Sequence, residues 1–252
     1  MRRPHPPIPW LNAGDPFPAL EYAWGTHAPA PGLLAAGGAL DVATLRQAYS
    51  RGIFPWFSVG QPVLWWSPDP RMVLHTEQFK LHRSLIKTLK RFAHTPGYEV
   101  SMDRAFGQVI RQCAGKLRAD QNGTWIVPEM IAAYETLHRA GLAHSVETWM
   151  DGELVGGLYC VNLGAMVFGE SMFAHRTDAS KIALAALVAF CRTHGMDRID
   201  CQQNTGHLAK LGAVEIPRAE FVAMVAQRAD LPAPAWHFGP LYWQQLFLLA
   251  PT

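Results

Sequence analysis

Residues 144–202 read HSVETWMDGELVGGLYCVNLGAMVFGESMFAHRTDASKIALAALVAFCRTHGMDRIDCQ, and the fold is decided in this run. Asp151-Gly152 separates two segments rich in apolar and β-branched residues, the signal of a two-residue hairpin turn. HSVETWM and ELVGGLYCVNL are therefore expected to pair as antiparallel strands, with AMVFGESMF as a third beside them. DASKIALAALVAFCRTHG predicts a helix opened by Asp178 and apolar nearly all round, hence buried. MDRIDCQ predicts a short strand, and NTGHLAKLGA and RAEFVAMVAQRA two more helices. An antiparallel meander followed by helix, strand and helix is an α+β layout with a mostly antiparallel sheet flanked by helices.

Upstream, FKLHRSLIKTLKRF has helical period. Leu81, Leu85, Leu89 and Phe92 form one stripe, with Lys80, Arg83, Lys87, Lys90 and Arg91 on the other side. YEVSMD predicts a strand, DRAFGQVIRQCAG a helix begun by Asp103, and VPEMIAAYETLHRAG a helix with Pro128 in its first turn and Gly141 at its end. Further back, GIFPWFSVGQPVLWWSPDPRMVL is dense in aromatics, proline and glycine, and is expected to be an ordered surface carrying exposed rings. DVATLRQAYSRG predicts a helix capped by Asp41 and stopped by Gly52. Residues 1–32 hold eight of the nineteen prolines and predict an extended arm. A boundary falls near residue 70, giving a small N-terminal helper domain with an aromatic loop (1–70) and a larger domain (71–252) whose proline-rich end, from Leu231, packs as a tail.

The 252 residues are 49% hydrophobic and 17% charged, the balance of a folded chain with a real core. No apolar run approaches the roughly 20 residues that a membrane span needs, so no membrane partner is expected. Cys113, Cys160, Cys191 and Cys201 lack CxxC spacing, which fits free thiols in a reduced, cytoplasmic compartment. A net charge of +2 permits a nucleic-acid partner without demanding one.

Side chains alternate along a strand, so in IDCQ Asp200 and Gln202 share one face and Ile199 and Cys201 the other. The first pair is either a solvated face or, next to a buried helix, a polar pair in need of partners or a purpose. Glu170 in FGESMF reads alone as an edge carboxylate. Trp56, Trp65, Trp66 and Trp125 are packing residues or base-stacking platforms. The basic helix is a solvated face or a phosphate-binding one. HExxH, clustered Cys/His, GxSxG, P-loop and GxGxxG patterns are all missing from the sequence. Cys201 as a nucleophile would need a base; His207 is the nearest, and alternation argues against it.

PGLLAAGGAL, GIFPWFSVGQPVLWWSPDPRMVL, GTWI, AHSVETW, LVGGLY, FGESMF, Ala179–Leu184 and IDCQ, in this order over roughly residues 30 to 220, resemble the leucyl/phenylalanyl-tRNA–protein transferase family. The resemblance implies an N-acetyltransferase-like (GNAT-type) domain behind the helper domain. It also implies transfer of Leu or Phe, and potentially Met, from aminoacyl-tRNA to acceptor proteins with N-terminal Arg or Lys, marking them for N-end-rule degradation. By motif, Trp56 and Trp125 contact the terminal adenosine, Glu170 lines the aminoacyl-adenosine site, Asp200 and Gln202 form the reaction centre, and Met172, Leu158 and Leu184 line the amino-acid pocket. Val167 and Leu187 replace phenylalanines of some members, which bears on donor preference. Lys80, Arg83 and Lys87 are the expected tRNA contacts.

An aminoacyl ester is already activated, so neither metal nor cofactor is expected, and a monomer suffices. Asp200 is expected to orient Gln202 and the amine more than to take a proton, because an ordinary Asp pKa of about 3.9 is poorly matched to an α-amino group near 8. Two alternatives stay open. An acyl-CoA-dependent N-acyltransferase would want a glycine-rich pyrophosphate loop where FAHRTDASK stands. A non-catalytic RNA-binding module would leave Asp200, Gln202 and Glu170 without a role.

Overall fold

The computed structural model describes residues 5–115 and 126–247. Its first sheet has four strands: β1 (Trp10–Leu11), β2 (Leu33–Gly37), β3 (Phe54–Pro55) and β4 (Leu64–Trp66), in the order β1-β2-β4-β3. Helix α1 (Val42–Ser50) lies between β2 and β3, and the Asp41 side chain caps it by accepting from the Thr44 N–H. The aromatic segment is thus partly strand. Trp65 and Trp66 are buried and Trp56 is half-buried, which corrects the expectation of exposed rings. The cause is local: the Trp65 and Trp66 indoles donate to the carbonyls of Gly37 and Trp56, so sheet backbone satisfies their polar edges.

The second sheet has seven strands: β5 (Arg71–His75), β6 (Tyr98–Met102), β7 (Ala143–Met150), β8 (Glu153–Leu163), β9 (Met166–Ala174), β10 (Arg198–Gln202) and β11 (Val214–Ile216). Their order is β11-β5-β10-β9-β8-β7-β6, and every neighbouring pair is antiparallel except β9 and β10. A parallel pair needs a long crossover, supplied here by α5 (Ala179–Thr193). Asp151 and Gly152 both take positive φ (54° and 80°), as the β7–β8 hairpin requires. This is the α+β layout, a mostly antiparallel sheet flanked by helices, that the meander predicted.

The other helices are α2 (Arg83–His94), α3 (Phe106–Gly115), α4 (Pro128–Arg139), α6 (Gly206–Lys210), α7 (Arg218–Arg228) and α8 (Gln244–Phe247). Strand alternation splits the core into two clusters, one on each face. Along β8, Tyr159 and Val161 join α1, α3, α4, α7 and the small sheet, while Leu158 and Cys160 join α2, α5 and α8.

Two expected helix starts are corrected. Lys80 precedes α2 by three residues, and its N–H donates to the Leu211 carbonyl. Asp103 does not cap α3: it sits at φ 59°, and its carboxylate accepts from the Ser145 N–H and bonds His144.

Candidate active site

The parallel ladder of β9 and β10 holds the pairs Val167–Ile199 and Phe168–Asp200. Two residues further along each strand stand Glu170 and Gln202, and the Gln202 amide Nε2 donates to Glu170 Oε1 at 3.0 Å. Both strands are irregular there. The β8–β9 register shifts between Tyr159 and Cys160, which face Ser171 and Gly169, so Glu170 is an extra residue on its strand. The β10–β5 register shifts between Asp200 and Gln202, leaving Cys201 extra and Gln202 at φ 61°. The Phe168–Asp200 register, continued by two residues, sets Glu170 opposite Gln202, and a bulge lies at this point in each strand.

Glu170 also meets two hydroxyls. Tyr49 of α1 donates to Oε1 at 2.7 Å, and Tyr134 of α4 lies 3.2 Å from Oε2 and bonds the Tyr49 hydroxyl, so the three bonds share the two hydroxyl protons and the carboxyl's own. Burial pushes the Glu170 carboxyl up from 4.5 to about 8, against the lowering effect of the Tyr49 bond; the nearby Asp200 adds to the rise, and the Gln202 and Tyr134 bonds oppose it. Burial and the Glu170 charge push both tyrosine hydroxyls well above the usual range. At neutral pH the cluster therefore holds a mostly protonated carboxyl, with the ionised form within reach.

Asp200 is fully buried, which excludes the solvated-face reading. Its Oδ1 accepts from Arg71 Nε at 2.8 Å and from the Gln202 N–H at 2.9 Å, and its Oδ2 from Arg71 Nη2 at 2.6 Å. Cys201 lies across the strand with Ile199, against the α2/α5/α8 cluster, and burial pushes its thiol up, away from a nucleophile's range.

Leu158 and Met172 are cross-strand partners, and with Leu184 of α5 they belong to that same cluster. Val167 and Leu187 are buried in it too. Trp56 packs 5.3 Å from Trp66. Arg83, Lys87, Lys90 and Arg91 are exposed on α2 while Leu85, Leu89 and Phe92 are buried, and Lys80 is exposed just ahead of the helix. Trp125 lies outside the described residues. Among the described residues, no group of three or more His, Cys, Asp or Glu could hold a metal ion.

The sequence reading missed Arg71, Tyr49 and Tyr134. Arg71 carried a signal, a lone cation at the head of the apolar run MVL. The tyrosines share their helix faces with buried apolar residues, which gives no polar signal in the sequence.

Two family models match: the leucyl/phenylalanyl-tRNA protein transferase over residues 73–226 and its N-terminal domain over residues 38–69. The leucyl/phenylalanyl-tRNA–protein transferase of Polaromonas sp. is 70% identical over 95% of this chain and 94% of its own length. That of Albidiferax ferrireducens is 61% identical over 96% and 95%. The chain belongs to the leucyl/phenylalanyl-tRNA–protein transferase family. It is an aminoacyltransferase, moving amino acids from tRNA to proteins. Among solved structures the transferase is similar to FemX, with a TM-score of 0.41 and 10% identity over 73% of this chain and 71% of that one, too distant a likeness to bear on function. No helix among the described residues is long and apolar enough to cross a membrane.

Proposed function

We propose that this transferase moves leucine or phenylalanine, with methionine as a further donor, from aminoacyl-tRNA onto proteins beginning with Arg or Lys, as a cytoplasmic monomer. The observation that carries the reading is the Gln202–Glu170 bridge at the end of the β9–β10 ladder, which faces the ester. Leu158, Met172 and Leu184 of the α2/α5/α8 cluster take the donor side chain. Trp56 and Trp125 stack the terminal adenosine, and Lys80, Arg83 and Lys87 meet tRNA phosphates. Residues 1–70 act as a helper unit to a catalytic unit of residues 71–252.

The acceptor amine attacks the ester carbonyl, the new C–N bond forms as the C–O bond to the ribose breaks, and the amine's proton ends on the leaving hydroxyl. Glu170, poised near 8, can accept and return that proton, and Gln202 orients the reacting groups. Asp200 positions Gln202.

The test is incubation with radiolabelled Leu-tRNA or Phe-tRNA and peptides beginning with Arg, Lys or Ala, with no metal or CoA added. Label should pass to the Arg and Lys peptides only. Label on all three, or transfer only when acetyl-CoA replaces the tRNA, would sink the reading. The acyl-CoA alternative also lacks a glycine-rich pyrophosphate loop ahead of α5, where FAHRTDASK stands.

A further inference from the structure

Arg71 opens β5 with no part of its side chain exposed. A buried guanidinium needs its donors met and its charge balanced, and each contact here has a direction. The plane lies between two rings, with Phe54 of β3 at 4.8 Å and Phe221 of α7 at 4.5 Å from its central carbon. Nη1 donates to the Gly52 carbonyl, just past α1, at 3.1 Å. Nε and Nη2 form a two-pronged fork on the Asp200 carboxylate at 2.8 and 2.6 Å. The same carboxylate takes the Gln202 N–H, at the residue whose positive φ turns its amide onto Glu170. Gly52 and Tyr49 belong to one segment, so the end of α1 and its last turn reach the Glu170–Gln202 bridge from two sides, through Arg71–Asp200 and directly through Tyr49.

We infer that Arg71 is a positioning residue for the transfer reaction: its fork fixes Asp200, and Asp200 in turn holds the Gln202 backbone in the left-handed turn that presents the amide to Glu170. A left-handed non-glycine residue persists only where its surroundings hold it, and the Asp200 oxygen on its N–H is the hold. Lysine keeps the charge but lacks the fork and the flat stack between rings, so geometry and charge can be separated.

The inference rests on the proposed reaction centre, and four variants keep the two apart: Gln202→Ala, Arg71→Lys, Asp200→Asn and the pair Arg71→Met/Asp200→Asn. All are measured for kcat, for KM toward Leu-tRNA and for folding by circular dichroism. Arg71→Lys should fold, hold KM within about twofold and lose kcat at least tenfold, since the substrate's own contacts are untouched. Asp200→Asn should lose a similar factor, and the pair no more than the worse single variant, because both act through one element. The pair also removes both buried charges together, so it folds even if the lone lysine does not; it too should lose kcat at least tenfold with KM held. Wild-type kcat in Arg71→Lys or in the pair overturns the role of Arg71, as do single losses that multiply in the pair. An active Gln202→Ala overturns the reaction centre itself.

Discussion

At the scale of single residues, one carboxyl, that of Glu170, is moved far from its ordinary range. Glu170 titrates near 8, and an acceptor α-amino group at about 7.7–8.0, so both predict activity rising with pH toward 8. Glu170→Gln separates them. Its rate should fall by roughly 10²–10⁴-fold and its pH profile should flatten; a rise that persists unchanged would assign the inflection to the amine alone. Asp200→Asn should keep the inflection at a lower plateau.

The raised Glu170 pKa also has a stability sign. The folded value lies above the unfolded one, so between pH 4.5 and 8 the unfolded state releases a proton that the folded state keeps, and stability falls as pH rises. Urea unfolding of Glu170→Gln should therefore gain on the wild type by about 2–4 kcal/mol from pH 5 to pH 8, at about 1.36 kcal/mol per pH unit and reduced because the side chain is partly exposed. Cys201→Ala should keep activity and lose about 1–2 kcal/mol through a small cavity; a folded but inactive variant would place Cys201 on the wrong face of β10.

At the scale of elements, α2 carries a buried apolar face and an exposed basic one. Leu85, Leu89 and Phe92 fasten it to the sheet, while Arg83, Lys87, Lys90 and Arg91 stand in solvent with no ion-pair partner among the described residues. Leu89→Ala should cost about 2–5 kcal/mol in denaturant unfolding. Reversing the charges of Lys80, Arg83 and Lys87 should change stability by less than about 1 kcal/mol and weaken tRNA binding. The salt dependence of binding should flatten by about one in slope for every phosphate that the variant no longer neutralises. An unaltered slope would return α2 to a solvated face.

At the scale of the whole molecule, residues distant in the chain close over the sheet. Trp236 of the tail stacks on His144 at 4.1 Å, packs 4.7 Å from Phe190 of α5 and donates to Asn162 of β8. Arg192 donates to the carbonyls of Thr76 and Gln245, tying α5 to the segment after β5 and to α8. Trp236→Ala should lower stability by about 2–4 kcal/mol, somewhat below a fully buried aromatic because the ring is only half-buried. Thermal unfolding at matched protein concentration measures it. No change would make the tail an ornament on a core that stands without it.

The meander, the turn at Asp151-Gly152, the buried α5 and the faces of β10 were determined by the sequence alone, because each rests on a local periodicity or a local backbone requirement. Linear order and motif spacing likewise carried the family. Three things were left to the tertiary structure. Trp65 and Trp66 went inside where the carbonyls of Gly37 and Trp56 accept from their indoles, which no local pattern announces. Asp200 gained its partner from Arg71, 129 positions away, and buried charges are stable only through such distant pairing. Glu170 gained its raised pKa from burial in the folded core, where it meets Tyr49 and Tyr134, 121 and 36 positions away. Charge and proton affinity depend on everything within a few ångströms, whatever its place in the chain, and so only the folded protein sets them.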